Sequence, residues 1–183
     1  MSDAPRLDAG PAATAAWPDE IFDVLKRFGV RQVAYVPDAG HSRLIERAHA
    51  EPAMTPVALT TEEEGVALVA GAWLGGERGV LLMQSSGVGN CVNMLTLVRL
   101  GRFPLLALVT MRGEWGEFNP WQVPMGTATP EALRLCGLHV MRTDSPDEVA
   151  DVVGAAAVMA YEAETATAVL LSQRLIGAKV FSK

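Results

Sequence analysis

Three neighbouring glutamates, Glu62, Glu63 and Glu64, follow the apolar run Val57-Ala58-Leu59 and the pair Thr60-Thr61, with Gly65 directly behind them. A carboxylate at such a strand-to-helix junction is held at fixed depth in a cleft, because open α/β sheets bind ligands at the carboxyl ends of their strands. It can then do acid–base chemistry on whatever the cleft holds. Acidic residues also suit the first turn of any helix, where each offsets the positive helix end by about 0.3 to 1 kcal/mol. Spacing separates the two roles. With Thr61 as N-cap, Glu64 stands three residues on and completes a capping box; with Thr60 as N-cap, Glu63 does. Glu62 completes neither, and is the candidate functional carboxylate. Gly65, Val66, Ala67, Val69, Ala70 and Gly71 follow, small enough to admit another chain or a flat ligand close to the helix.

Two further junctions carry polar groups. Met83-Gln84-Ser85-Ser86-Gly87-Val88-Gly89-Asn90 follows an apolar run and reads as a loop whose backbone can approach a ligand. It is no dinucleotide fingerprint, since Val92 stands where the third glycine belongs, and no Walker-type GK[ST] occurs. Val36-Pro37-Asp38-Ala39-Gly40-His41-Ser42 has turn composition, with His41 able to serve as a proton donor or an anion contact. Neighbouring strand ends converge on a crevice, so several such junctions in one sheet mean more than any alone. His49 and His139 have no ligand-spaced partners, and no protein-only metal site is expected.

The elements that must position these groups alternate. Short apolar runs near 32–36, 56–60, 79–84, 104–110, 138–142 and 167–172 read as six strands. Between them Pro18–Phe28, Ser42–Ala50, Glu62–Leu74, Asn90–Leu100, Pro130–Cys136 and Pro146–Glu162 carry helical spacing or helix-start signals. The expected fold is a single three-layer α/β domain, a six-stranded mainly parallel sheet with helices on both faces; runs such as Val80-Leu81-Leu82-Met83 match strands buried on both sides. Residues 112–129 have no period and read as one long loop, of the kind that is usually functional or disordered.

Composition narrows the partners. The chain has 183 residues, half of them apolar, enough for one well-buried domain. Residues 1–17 read as a disordered leader, 18–172 as the domain and 173–183 as a C-terminal extension. A net charge of -6 argues against nucleic acid or an anionic membrane as a bulk partner. No apolar stretch is long enough to span a bilayer. Cys91 and Cys136 form no CxxC pair, and a cytoplasmic location is expected.

Taken together, Glu62-Glu63-Glu64-Gly65, Ala70-Gly71-Ala72-Trp73-Leu74-Gly75-Gly76 and Leu82 to Asn90 resemble the pyrimidine-binding domain of thiamine-diphosphate enzymes, of the sulfopyruvate and phosphonopyruvate decarboxylase type. Val36-Pro37-Asp38, Met111-Arg112-Gly113 and Gln122-Val123-Pro124-Met125-Gly126 extend the resemblance over about residues 18–172. It implies that a glutamate hydrogen-bonds the cofactor's aminopyrimidine and promotes the imino form that deprotonates the thiazolium, after which a 2-oxo acid loses carbon dioxide and leaves as an aldehyde. Glu62 takes that role, with Gly65 as the family's small residue three positions on. Gln84, Ser85, Ser86, Gly87, Gly89 and Asn90 line the cofactor, and Asp38, His41, Arg112 and Gln122 are candidates for the substrate. Carboligation through the same cofactor, or a non-catalytic ligand-binding subunit, would use the same surface.

Two departures shape the expectation. The chain has no GDG sequence with which a diphosphate-binding domain and its magnesium site begin, so it is identified as an α-type subunit, active only with a β-type diphosphate-binding chain that holds magnesium, in an assembly such as α2β2 or larger. The segment Gly113 to Trp121 carries three aromatics and two acids with no cation after Arg112. A sulfonate or phosphonate prefers several positive or N–H donors, which leaves a less charged 2-oxo acid open as substrate.

Overall fold

Residues 16–177 are described by a computed structural model of the chain. Six parallel strands, β1 (Val30–Tyr35), β2 (Thr55–Ala58), β3 (Arg78–Gln84), β4 (Leu105–Thr110), β5 (His139–Thr143) and β6 (Ala166–Leu171), form one sheet in the order β2-β1-β3-β4-β6-β5. The apolar runs are continuous because the central strands are covered twice. Val80 and Leu82 of β3, Leu106 and Leu108 of β4, and Val169 and Leu171 of β6 enter one core, while Leu81, Met83, Ala107, Val109, Ala168 and Leu170 enter the other. Helices α1 (Trp17–Arg27), α2 (Ser42–Ala50), α7 (Val149–Tyr161) and α8 (Gln173–Ile176) cover the first core; α3 (Glu62–Leu74), α4 (Ser85–Cys91), α5 (Thr96–Gly101) and α6 (Val123–Leu135) cover the second. This is the three-layer parallel architecture expected from the alternation of elements. Among the described residues no helix is long and apolar enough to cross a membrane.

Four local expectations are corrected. Ser85–Cys91 is helical and not a loop, so α4 begins directly at the end of β3; the helix expected from Asn90 to Leu100 is broken by turns at 92–95 before α5. The long loop ends at 119, because a 3-10 turn at Pro120–Gln122 leads into α6. Pro124 is tolerated in the first turn of α6, where its missing N–H has no helical partner to lose, whereas Pro130 lies inside the helix. Gly65 does not leave α3 open to a ligand: a Cβ there would lie 2.9 Å from Leu59 Cδ1 and closer still to Leu81 Cδ1, so the residue brings α3 down onto the sheet. Gly71 does face open space.

The proposed leader lies outside the described residues apart from Ala16 and Trp17, and Trp17 opens α1 and is buried. Gln173, placed in the C-terminal extension, begins α8 and has no exposed surface.

The strand order sets the site. The chain leaves β1 through α2, on one side of the sheet, and leaves the adjacent β3 through α4, on the other. That divergence is a topological switch point, and it opens a crevice at the carboxyl ends of β1 and β3.

Candidate active site

At that crevice lies a cleft of about 170 Å³ lined by Val36, Pro37, Asp38, Glu62, Gln84 and Ser86. Successive strands of the sheet each deliver a polar group to this edge: Glu62 after β2, Asp38 after β1, Gln84 at the end of β3, Thr110 at the end of β4 and Gln173 after β6.

Glu62 is the first residue of α3 and only 8 % exposed. Its Oε2 accepts a hydrogen bond from Asn90 Nδ2 at 2.9 Å. Oε1 has no hydrogen-bond partner among the described residues and rests against Gly87 in α4, where a Cβ would lie 2.5 Å from Glu62 Cγ and nearer to Cδ and Oε1. Gly87 and Asn90 therefore form a socket that fixes one carboxylate oxygen and leaves the other available. The adjacent acids behave differently. Glu63 and Glu64 are exposed, and Glu64 Oε2 accepts the Thr60 N–H at 2.9 Å. Thr61 is the N-cap but makes no side-chain cap bond, so only the returning half of a capping box is present, one residue early.

Asp38 organises the other wall. Oδ2 accepts from Thr110 Oγ1 at 2.7 Å and from the Gly40 N–H at 3.1 Å, and Oδ1 accepts from Gln84 Nε2 at 2.9 Å. Gln84 Oε1 in turn accepts from Ser86 Oγ at 3.0 Å. The Gln84 amide is thus held in one orientation by a partner at each end.

The remaining residues singled out from sequence fall elsewhere. His41 is 1 % exposed and bonds the Leu108 carbonyl oxygen through Nε2 at 3.1 Å; it does not line the cleft. Burial holds its pKa below the usual imidazole range, against the opposing pull of Asp38, so it is neutral and no proton donor at neutral pH. Ser85 is buried beneath the next loop, with Oγ bonded to both the N–H (3.1 Å) and the carbonyl oxygen (3.3 Å) of Arg112. Gly89 lets Met125 pack against α4. Gln122 has a buried Oε1 without a partner among the described residues.

Arg112 is not a free cation. Its Nε and one terminal nitrogen each donate at 2.7 Å to Glu117, a bidentate pair whose side chains are 11 % and 3 % exposed. Glu117 also accepts from the N–H groups of Gly113 (3.2 Å) and Asn119 (3.0 Å) and from Gln173 Nε2 (2.9 Å). Arg112 is the chief cause that holds its carboxyl well below the usual range, at about 2. Gln173 Oε1 accepts the N–H groups of Glu114 and Trp115, both at 3.0 Å, and Glu114 is tied to Arg142 by two bonds of 2.8 and 2.9 Å. The aromatic segment is therefore a fixed wall anchored to α8. Thr110, Glu117 and Gln173 were not among the sequence candidates. A polar residue closing an apolar strand, as in Leu105–Thr110 and in Leu171-Ser172-Gln173, is the signal that could have found two of them.

The donor set suits the edge of a flat, polar heterocycle: a buried carboxylate with one open oxygen, an oriented carboxamide and a hydroxyl around a ring-sized space. Sites that enclose a whole drug-sized ligand are about 300 to 1,000 Å³, so this cleft takes part of a larger molecule.

Residues 18–119 match the model of the family "Thiamine pyrophosphate enzyme, N-terminal TPP binding domain". The chain belongs to the thiamine pyrophosphate enzymes, and residues 18–119 are the family's N-terminal cofactor-binding domain. It is similar to the α subunit of sulfopyruvate decarboxylase from Methanothermobacter thermautotrophicus, 36 % identical over 154 residues that cover 84 % of this chain and 93 % of that one. The corresponding α subunit of Methanocaldococcus jannaschii is 28 % identical, covering 82 % and 89 %. Phosphonopyruvate decarboxylase of Streptomyces viridochromogenes is 39 % identical over 128 residues, 68 % of this chain but only 32 % of that protein. In structure the chain resembles a 2-oxoglutarate:ferredoxin oxidoreductase from Magnetococcus marinus, with a TM-score of 0.67 over 88 % of this chain and 29 % of that one; at 12 % identity the likeness is one of fold.

Proposed function

We propose that this chain is the pyrimidine-domain subunit of a thiamine-diphosphate-dependent decarboxylase of a 2-oxo acid of sulfopyruvate or phosphonopyruvate type, giving an aldehyde and carbon dioxide. The observation that carries the proposal is Glu62: buried at a switch-point cleft, with Oε2 tied to Asn90 and Oε1 open. Its relatives of matching length are named as subunits of such an enzyme. When bound, thiamine diphosphate supplies the electron sink for loss of carbon dioxide. Glu62 Oε1 would share a proton with the edge of the aminopyrimidine ring, while Gln84, Ser86 and Gly87 border that ring. Asp38 fixes Gln84 from behind and lines the substrate side.

The cleft is too small for the whole cofactor, which supports a partner chain bearing the diphosphate and magnesium site, in a hetero-oligomer such as α2β2 or larger in the cytoplasm. Because Glu117 occupies the Arg112 guanidinium, the terminal sulfonate or phosphonate is assigned to donors of that partner. The test is to mix the chain with a GDG-containing partner, thiamine diphosphate and magnesium, and to follow carbon dioxide and aldehyde from sulfopyruvate, phosphonopyruvate and pyruvate. Rapid carbon dioxide release from the first or second, lost in Glu62→Gln with assembly intact, is the expected result. A condensed hydroxyketone as the main product would show a carboligase, and cofactor binding without turnover a regulatory subunit.

A further inference from the structure

At the edge of the sheet opposite Glu62, a second cavity of about 350 Å³ lies between the ends of α5 and α6 and the starts of β4 and β6. Arg99, Arg102, Phe103, Cys136, Gly137 and Glu164 line it. Arg102 (φ 53°) and Glu164 (φ 52°) are the two non-glycine residues with left-handed backbone among those described, and both face this cavity. A β-carbon in that region costs energy that glycine avoids, and Arg102 stands at the C-cap of α5, where glycine is the usual choice. Ionisable side chains of opposite sign thus occupy the two positions where glycine would be more stable, and strain of this kind clusters at ligand sites.

The charges are also uncommitted. Arg99 lies beside Gly137, whose φ of 90° calls for glycine and whose Cβ position is 3.8 Å from Arg99 Cδ, an ordinary contact. Neither arginine has an acidic partner within ion-pair distance among the described residues, nor does Glu164 have a basic one, although most other arginines of this acidic chain are paired. Paired guanidinium groups recognise carboxylate and phosphate with directional hydrogen bonds.

We propose that this cavity binds a small organic acid, a phosphate or carboxylate that also carries an ammonium or hydroxyl group, with Arg99 and Arg102 on the acid and Glu164 on the donor. Such a site is independent of the decarboxylase reading. The test is calorimetric titration of the full chain, at fixed ionic strength, with O-phosphoserine, inorganic phosphate and malonate. O-Phosphoserine is expected to bind saturably and about tenfold more tightly than phosphate, which lacks the donor. Arg99→Gln and Arg102→Gly should each weaken it about tenfold, and Arg102→Gly should not lower the melting temperature, since glycine relieves the backbone. Glu164→Gly should bring O-phosphoserine down to the affinity of phosphate. If no probe gives a saturable signal up to about 10 mM, or if the arginine substitutions leave binding unchanged, the proposal fails and the arginines serve only to offset the carbonyl ends of α5 and α6. Unaltered O-phosphoserine binding in Glu164→Gly would overturn the role given to that residue.

Discussion

Gly87→Ala tests the socket around Glu62 with a single methyl group. The new Cβ would stand 2.5 Å from Glu62 Cγ and nearer to Cδ and Oε1, whereas ordinary contact begins at 3.4 Å. Glu62 must then withdraw its carboxylate by about 1 Å, a misplacement that can cost about 100-fold in rate when the group acts on a bound reactant. Stability should change much less. Overpacking costs about 1 to 3 kcal/mol, but alanine in place of glycine inside α4 returns about 1 kcal/mol of helix propensity. The expected outcome is a fall of about two orders of magnitude in carbon dioxide release by the assembled enzyme, with a melting transition still cooperative and shifted by a few degrees. Gly89→Ala is the control, because its Cβ would meet only the flexible Met125 side chain, at 3.3 Å. Wild-type turnover in Gly87→Ala would refute the argument that Gly87 sets the depth of the carboxylate.

The loop wall and the helix–sheet contact give further outcomes. Glu117→Gln leaves the Arg112 charge buried without its partner and should destabilise the chain by about 3 to 5 kcal/mol at pH 7, measured by urea unfolding. The same carboxyl has its folded pKa lowered from 4.5 to about 2, so its stabilising effect is complete above pH 4.5 and lost as pH falls toward 2. Wild type should therefore lose about 3 kcal/mol relative to Glu117→Gln between pH 5 and pH 2, and a constant difference across that window would contradict the pairing. Gly65→Ala should destabilise by about 1 to 3 kcal/mol, because its Cβ meets Leu81 and Leu59 side chains beneath α3; an unchanged denaturation midpoint would show that α3 can lift freely. In Gln173→Leu the Glu114 and Trp115 N–H groups lose their acceptor, and limited proteolysis within 113–119 should quicken with the core intact.

Much of this architecture was legible from periodicity. Buried parallel strands leave continuous apolar runs, and Leu105-Leu106-Ala107-Leu108-Val109 can hardly be anything else in a chain that alternates strands with helices. The misread segments are those where tertiary contact overrides local preference. Ser85–Cys91 has two serines and two glycines, poor helix formers, yet it is helical because Gly87 must admit Glu62 and Gly89 must admit Met125. Val123–Leu135 holds two prolines and a glycine, and Gly126 is needed because a Cβ there would press on the Arg112 carbonyl and on Gly113. In the site, capping arithmetic set Glu62 apart from its neighbours, and Glu62 is the one of the three that is buried, although the capping bond that Glu64 makes differs by one residue. For Arg112 and His41 the sequence shows a charge and an imidazole but not the partner of either. Glu117 is five residues from Arg112, and Leu108 is 67 from His41.

The central claim is that Glu62, and neither neighbour, is the carboxylate that acts on the cofactor. Exchange of the thiazolium C2 proton of thiamine diphosphate with solvent deuterium, followed by rapid quench and NMR on the assembled complex without substrate, reads that role directly. Glu62→Gln should slow exchange by at least about 100-fold at saturating cofactor, while Glu63→Gln and Glu64→Gln remain close to wild type. Wild-type exchange in Glu62→Gln, or its loss in Glu64→Gln instead, would contradict the account.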